Sequence, residues 1–287
     1  MKVTSASATD IGLVRDHTED ALLLREPLFA VADGMGGHLG GEVASSTALE
    51  KLAAVFDERG SDGLAEAVHE ANAEVFTQSV RDAEVAGMGT TLTAAVLVGT
   101  DLLLAHVGDS RAYLLHDGEL RRLTEDHTLV GEMVRKGSLS ERQARSHPQR
   151  SILTRALGIE PEVEVDRLSL PIGDRDRVLL CSDGLNSMIE DSEIRRILSD
   201  EGEPRAACDR LVEAANAMGG VDNTTVVVLD FEAEESDAEP EAEGGAAAAG
   251  PDAADAADAA DARTPADPAG TPPDDGEGLF RRIFKKK

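Results

Sequence analysis

Several things are scarce in this chain of 287 residues. Aromatic side chains are few: six Phe, one Tyr and no Trp. The only cysteines are Cys181 and Cys208, which excludes a disulfide scaffold and a thiolate zinc site. Positive charge is in deficit, with 28 Lys and Arg against 56 Asp and Glu and a net charge of −28. A nucleic-acid-coating role needs basic stripes that neutralise phosphates, so that class is excluded. No apolar run reaches the roughly 18–20 residues of a membrane span. The start, Met1-Lys2-Val3-Thr4, lacks the apolar run of a signal peptide. A soluble cytoplasmic protein is expected, long enough to bury the core of one large domain or two small ones.

The acidity is uneven. Residues 232–278 are built almost wholly of Ala, Asp, Glu, Pro and Gly, with Asp252, Asp255, Asp258 and Asp261 three apart. So little apolar surface cannot offset the entropy of ordering, and the segment reads as a disordered linker. Residues 279–287 differ: Leu279, Phe280, Ile283 and Phe284 are interleaved with Arg281, Arg282 and three lysines. Such a basic-apolar tip suits contact with a partner groove or an anionic membrane. Residues 232–287 hold 15 acids and six bases, a net −9, which leaves −19 on residues 1–231. The part expected to fold, 1–231, is therefore acidic in its own right.

Within that part, Leu28 to Ala32 reads as a buried strand. Residues 42–57 and 62–80 read as helices, the second with Asp62 as N-cap. Thr90–Val98 and Leu102–Val107 are β-branched and apolar. Arg111–Leu115 and Glu119–Leu123 flank His116-Asp117-Gly118, a hairpin signal. Residues 128–146 are polar-helical and interrupted by Gly137. Strands at Val163–Leu170 and Val178–Cys181, helices at 191–199 and 204–218, and a strand at Thr224–Phe231 complete an α+β order. Strands joined by hairpins imply antiparallel sheets covered by helices.

Acids stand where the apolar runs stop. Asp33 follows Phe29-Ala30-Val31-Ala32, Asp109 follows Ala105-His106-Val107-Gly108, Asp183 follows Leu179-Leu180-Cys181-Ser182, and Asp222 precedes the last strand. A strand end fixes a side chain, and a following glycine lets the backbone approach a ligand. Convergent carboxylates repel unless their pKa values rise or a metal joins them, and all-oxygen ligation suits Mg²⁺ or Mn²⁺. Arg15, five residues before Asp20, carries a donor fork suited to phosphate.

These residues fall into motifs that resemble the metal-dependent protein phosphatases, the type 2C serine/threonine phosphatases, in their bacterial soluble form. The motifs are Gly12-Leu13-Val14-Arg15-Asp16-His17-Thr18-Glu19-Asp20, Asp33-Gly34-Met35-Gly36-Gly37-His38, Gly87-Met88-Gly89-Thr90-Thr91-Leu92, Val107-Gly108-Asp109-Ser110-Arg111, Ser146-His147-Pro148-Gln149-Arg150-Ser151, Cys181-Ser182-Asp183-Gly184-Leu185 and Asp222-Asn223-Thr224-Thr225. They stand in family order across residues 8–231. The resemblance implies a four-layer fold, a central antiparallel β-sandwich flanked by helices on both faces. It implies that Arg15 holds the substrate phosphate and that Asp33 bridges two metals, joined by the Gly34 carbonyl. Asp183 and Asp222 complete the first metal, Glu19 reaches the second, and Asp20 orients its waters. Asp109 and Ser151, with Asp183, hold the third metal of bacterial members. Glu132 to His147 corresponds to the mobile flap.

Two positions depart from the family pattern. Thr18 stands where Asn is usual, and Met35 stands where animal members carry a His proposed as general acid. His17, His38, His106 and His147 read as structural or surface side chains. Cys181 reads as core, and Ser110 and Ser182 lack the pairing of a nucleophile. The implied reaction is direct attack on a phosphoserine or phosphothreonine monoester by a water or hydroxide between two Mn²⁺ or Mg²⁺ ions, without a phospho-enzyme. Such an enzyme counteracts serine/threonine kinases, and a monomer is expected. The competing readings are a catalytically silent regulator on the same fold and an acidic divalent-cation-binding protein.

Overall fold

The computed structural model describes residues 1–36 and 39–233. His38, most of the acidic linker and the 279–287 tip lie outside the described residues. In chain order the strands and helices are β1 (Lys2–Asp10), β2 (Asp20–Arg25), β3 (Leu28–Met35), α1 (Gly40–Arg59), α2 (Leu64–Arg81), β4 (Gly89–Thr90), β5 (Leu92–Val98), β6 (Asp101–Val107), β7 (Arg111–His116) and β8 (Glu119–Arg122). There follow α3 (Leu129–Arg135), α4 (Glu141–Arg145), β9 (Asp166–Pro171), β10 (Arg177–Cys181), α5 (Asp183–Asn186), α6 (Asp191–Asp200), α7 (Pro204–Ala217) and β11 (Thr224–Glu232).

The strands form two antiparallel sheets. One has the order β1-β11-β10-β7-β8 and the other β2-β3-β5-β6-β9, with β4 paired to β3. Alternation explains how one strand serves two cores. On β3, Phe29 and Val31 point between the sheets, where they meet Leu104, Leu114, Leu180 and Val227. Leu28, Ala30 and Ala32 point the other way, into the layer of Ala44, Ala48, Leu52 and Val68 from α1 and α2. Both faces are covered, so the run reads as continuously apolar rather than alternating. On the second sheet, Leu179 and Val228 face Ile194 and Leu198 of α6 and Leu211 of α7. The result is the expected four-layer arrangement of helices, two sheets and helices.

The 116–119 turn has the geometry its sequence announces. His116 pairs with Glu119, and Asp117 and Gly118 both have positive φ, 49° and 76°. Asp62 is not an N-cap. It lies in a short 3₁₀ turn, Ser61–Gly63, and α2 starts after Gly63 with no side-chain cap. Two strands carry no signal in the sequence reading, β1 and β2. Each is the first edge of its sheet. β1 in particular has few large apolar residues, since an edge strand with small and polar side chains needs no continuous apolar face.

The inter-sheet core holds the two sheets in fixed relation. Phe29 is 1% exposed at its centre. Phe29→Ala is expected to lower the unfolding free energy by about 3–5 kcal/mol, read as a shifted urea midpoint at unchanged slope.

Candidate active site

Four of the expected acids come from neighbouring ends of the two sheets. Asp20 and Asp33 are opposite each other where β2 pairs with β3. Asp183 opens α5 just after β10, and Asp222 lies just before β11. The Asp33 and Asp183 carboxyls lie close enough to influence each other's protonation. Arg15 bridges to the same place: its Nη2 donates to Asp222 Oδ2 at 2.8 Å, and its Nη1 is 3.6 Å from Glu19 Oε2.

The backbone around these acids is closely tied. Thr91 Oγ1 accepts from the Asp33 N–H at 2.9 Å, the Thr91 N–H donates back to the Asp33 carbonyl, and Thr90 Oγ1 donates to it at 3.0 Å. The Gly34 N–H donates to the Glu19 carbonyl, and a Cβ on Gly34 would collide with the Gly41 carbonyl. Gly184 is equally confined, against the Asn223 carbonyl. These glycines permit the approach of two chain segments.

Electrostatics follows from placement. Asp20, Asp33 and Asp183 lie deep among protein atoms and keep one side on solvent. Burial first, then the charges of Asp20, Asp183, Asp109 and Asp222, push the Asp33 carboxyl well above the usual range. Asp183 is pushed up to about 6 by burial and Asp222. Asp20 is pushed up to about 7, chiefly by burial, although hydrogen bonds from Ser182 and Thr225 oppose the rise. Asp109 is raised by burial, then by Asp183 and Asp126. The Asp20 Oδ1 atom is buried and has no hydrogen-bond partner, whereas Oδ2 accepts from Ser182 Oγ at 2.7 Å.

Among the described residues, no three His, Cys, Asp or Glu side chains close on one point as a finished metal cage. An orphaned carboxylate oxygen and several raised pKa values still define an all-oxygen donor set lacking positive charge. That set fits a hard divalent cation.

Asp109 and Ser151 occupy a neighbouring wall. With Asp183 they line a cavity of about 170 Å³ between the body and α3–α4, the segment expected as flap. Ser151 is exposed on that wall. Thr18, which replaces the usual Asn, accepts from the Asp20 N–H at 3.3 Å. His106 is buried and satisfied: Nε2 donates to the Glu125 carbonyl, so Nδ1 accepts from Thr93 Oγ1. Cys181 is buried.

Several positioning residues escaped the sequence reading. Asn223 is 3% exposed, accepts from the Glu19 N–H at 2.8 Å and donates to the Ile11 and His17 carbonyls, both at 3.0 Å. One amide thus fastens the Arg15 loop to β11. Asp126-His127-Thr128 roots the flap. Asp126 binds Arg111 through both oxygens, at 2.8 and 2.6 Å. His127 Nδ1 accepts from the Gly108 N–H at 3.0 Å, and Thr128 caps α3. His127 Nε2 is 3.2 Å from Asp166 Oδ2, close but misdirected for a hydrogen bond. The signal was available in Asn223 and Asp126-His127-Thr128, polar residues directly beside apolar runs.

With the site in view, comparison with known proteins is direct. The chain belongs to the protein phosphatase 2C family, whose model matches residues 16–218. The serine/threonine phosphatase stp of Listeria monocytogenes is 40% identical over 235 residues, 77% of this chain and 93% of that protein. The serine/threonine protein phosphatase PstP of Mycobacterium tuberculosis is 45% identical over 230 residues, 78% of this chain but 44% of that longer protein. A crystal structure of the M. tuberculosis PstP/Ppp phosphatase superposes with a TM-score of 0.76 at 43% identity, covering 80% of this chain and 99% of that one. The catalytic domain of PstP solved with two manganese ions gives a TM-score of 0.74 at 39% identity, with coverage of 80% and 99%.

Two outcomes follow from the geometry. A carboxyl whose pKa is raised on folding binds more protons in the native than in the unfolded state, so stability falls as pH rises through that window. With chelator present, the native protein should lose about 1–2 kcal/mol as pH rises from about 5 to about 7, between the ordinary carboxyl range and the raised values of Asp183 and Asp20, and Asp20→Asn should flatten the slope in urea titrations. Asn223→Ala strands one N–H and two carbonyls and should cost about 1–3 kcal/mol in the same assay at a single pH.

Proposed function

We propose that this protein is a metal-dependent serine/threonine protein phosphatase that hydrolyses phosphoserine and phosphothreonine monoesters and opposes serine/threonine kinases. The observation that carries the reading is the meeting of Asp20, Asp33, Asp183 and Asp222 from two sheets around Arg15. Residues 1–231 are taken as the catalytic domain, acting as a cytoplasmic monomer. The reading assigns no role to the 279–287 tip.

Asp33, Asp183 and Asp222 would hold one Mn²⁺ or Mg²⁺ and Asp33 with Glu19 a second, the Gly34 carbonyl joining one of the two and Asp20 orienting water. Asp109, Ser151 and Asp183 would hold a third. Bound there, the cations supply positive charge against the phosphate dianion and acidify water for direct attack at phosphorus. The rest rests on the protein. Asp222 and Glu19 hold the Arg15 guanidinium at the rim, and its remaining N–H groups donate to the equatorial phosphoryl oxygens, where charge accumulates. Among the described residues, Ser182 hydrogen-bonds to no histidine. It donates to Asp20, and its Oγ accepts from the Thr225 N–H at 2.9 Å, so it orients a carboxylate and does not attack. No side chain takes the phosphoryl group.

The test is release of phosphate from a phosphothreonine peptide. Activity should need Mn²⁺ or Mg²⁺ and vanish with chelator, and Asp183→Asn should lower kcat by about a hundred-fold or more. Arg15→Ala should raise KM as well as lower kcat. A wild-type protein inert with both metals, or a phosphorylated protein trapped during turnover, would overturn the reading.

A further inference from the structure

Apolar side chains crowd one edge of the site. On the loop before Arg15, Leu13 is 69% and Val14 64% exposed. On the loop before Asp222, Met218 is 66% and Val221 48% exposed. A single exposed apolar residue needs no explanation, but a contiguous group commonly marks an interaction surface. Here the exposure is enforced by the backbone. The Leu13 N–H donates to the Gly220 carbonyl at 2.7 Å. Gly12, at φ +80°, abuts the carbonyls of Asp222 and Gly220 so closely that a Cβ would lie 2.5 and 2.7 Å from them. Gly220 leaves room for Leu13, whose Cγ would lie 2.9 Å from a Cβ there, so the two loops sit together with these side chains on the outside. Asp10 ties both loops down, accepting from the Gly12 N–H at 2.8 Å and from Asn216 Nδ2 at 3.0 Å. The surface is therefore rigid before anything binds it, and a preorganised surface loses little entropy on binding.

Its position says what covers it. The rim is continuous in sequence with Arg15 on one side and Asp222 on the other, and these two are joined at 2.8 Å. A phosphate held by Arg15 brings its own peptide over this rim. An extended chain advances about 3.3–3.6 Å per residue, so the residues reaching the rim lie within about three positions of the phosphorylated one. We infer that Leu13, Val14, Met218 and Val221 form a specificity surface that selects phosphopeptides carrying an apolar side chain close to the phosphorylated serine or threonine. This rests on the phosphatase reading and adds the substrate feature that the site prefers.

The experiment walks a leucine through a phosphothreonine peptide of otherwise serine flanks, from three residues before to three after. An aryl phosphate serves as a substrate without flanks, and Mn²⁺ is present throughout. One leucine position should raise kcat/KM about ten-fold over the all-serine peptide. Leu13→Gln and Met218→Gln should each bring that ratio to about two-fold or less. The fraction of active enzyme cancels in a ratio of two substrates, so partial misfolding does not imitate the result. A flat profile in a wild type that cleaves the aryl phosphate overturns this inference and leaves the phosphatase reading intact. So does a leucine preference that survives both variants, or a dimer in sedimentation that both variants dissolve without changing the ratio. A wild type that cleaves neither peptide nor aryl phosphate overturns both.

Discussion

The crowding of buried carboxylates is the constraint that the rest of the site serves. Asp20, Asp33, Asp109, Asp183 and Asp222 are brought into range of one another, and the cost, burial first and mutual repulsion second, is visible in how far Asp33 and Asp109 are pushed from their ordinary protonation. Such an arrangement persists only if the rest of the fold over-determines it. Thr90 and Thr91 fix the Asp33 backbone, Ser182 fixes Asp20, and Asn223 fixes Glu19. The buried layers behind them supply the stability against which the repulsion is held.

Much of that scaffold was legible in the residues. The apolar run Leu28–Ala32 had to be a strand covered on both sides, and Asp117-Gly118 had to be a two-residue hairpin turn. The strand-end positions of Asp33, Asp183 and Asp222 drew attention because a side chain at the end of a buried strand is held stiffly. What stayed hidden had weaker local signals. β1 and β2 are sheet edges, and their pairing is decided by partners more than 200 residues away in one case and by a hairpin in the other. Asn223 and His127 stand beside apolar runs, which marks their positions, but their partners are main-chain groups of distant segments that only the fold brings near. Asp62 resembled a cap because capping is read from residue type, whereas the 3₁₀ turn that displaced it depends on where α1 ends at Gly60, φ +69°.

The negative charge of the chain also takes on internal structure. Part is confined to 232–287, part is concentrated at the carboxylate cluster, and part is spread as surface ion pairs such as Arg196 with Glu193 and Asp200, both within one helix. Only the second of these makes a local field that a phosphate must overcome, and there Arg15 stands at the entrance. Arg111 is another nearby cation, but Asp126 occupies its fork. The two arginines divide the work, one facing outward and one bracing the root of the flap.

The division of the carboxylates between two sheets has a consequence for how such a protein can be assembled. Asp20 and Asp33 belong to the sheet of β2 and β3, whereas Asp183 and Asp222 flank β10 and β11. Neither half of the sandwich carries all four acids. The cluster exists only where the two sheets meet, so it reports on the docking of the halves as much as on either half alone.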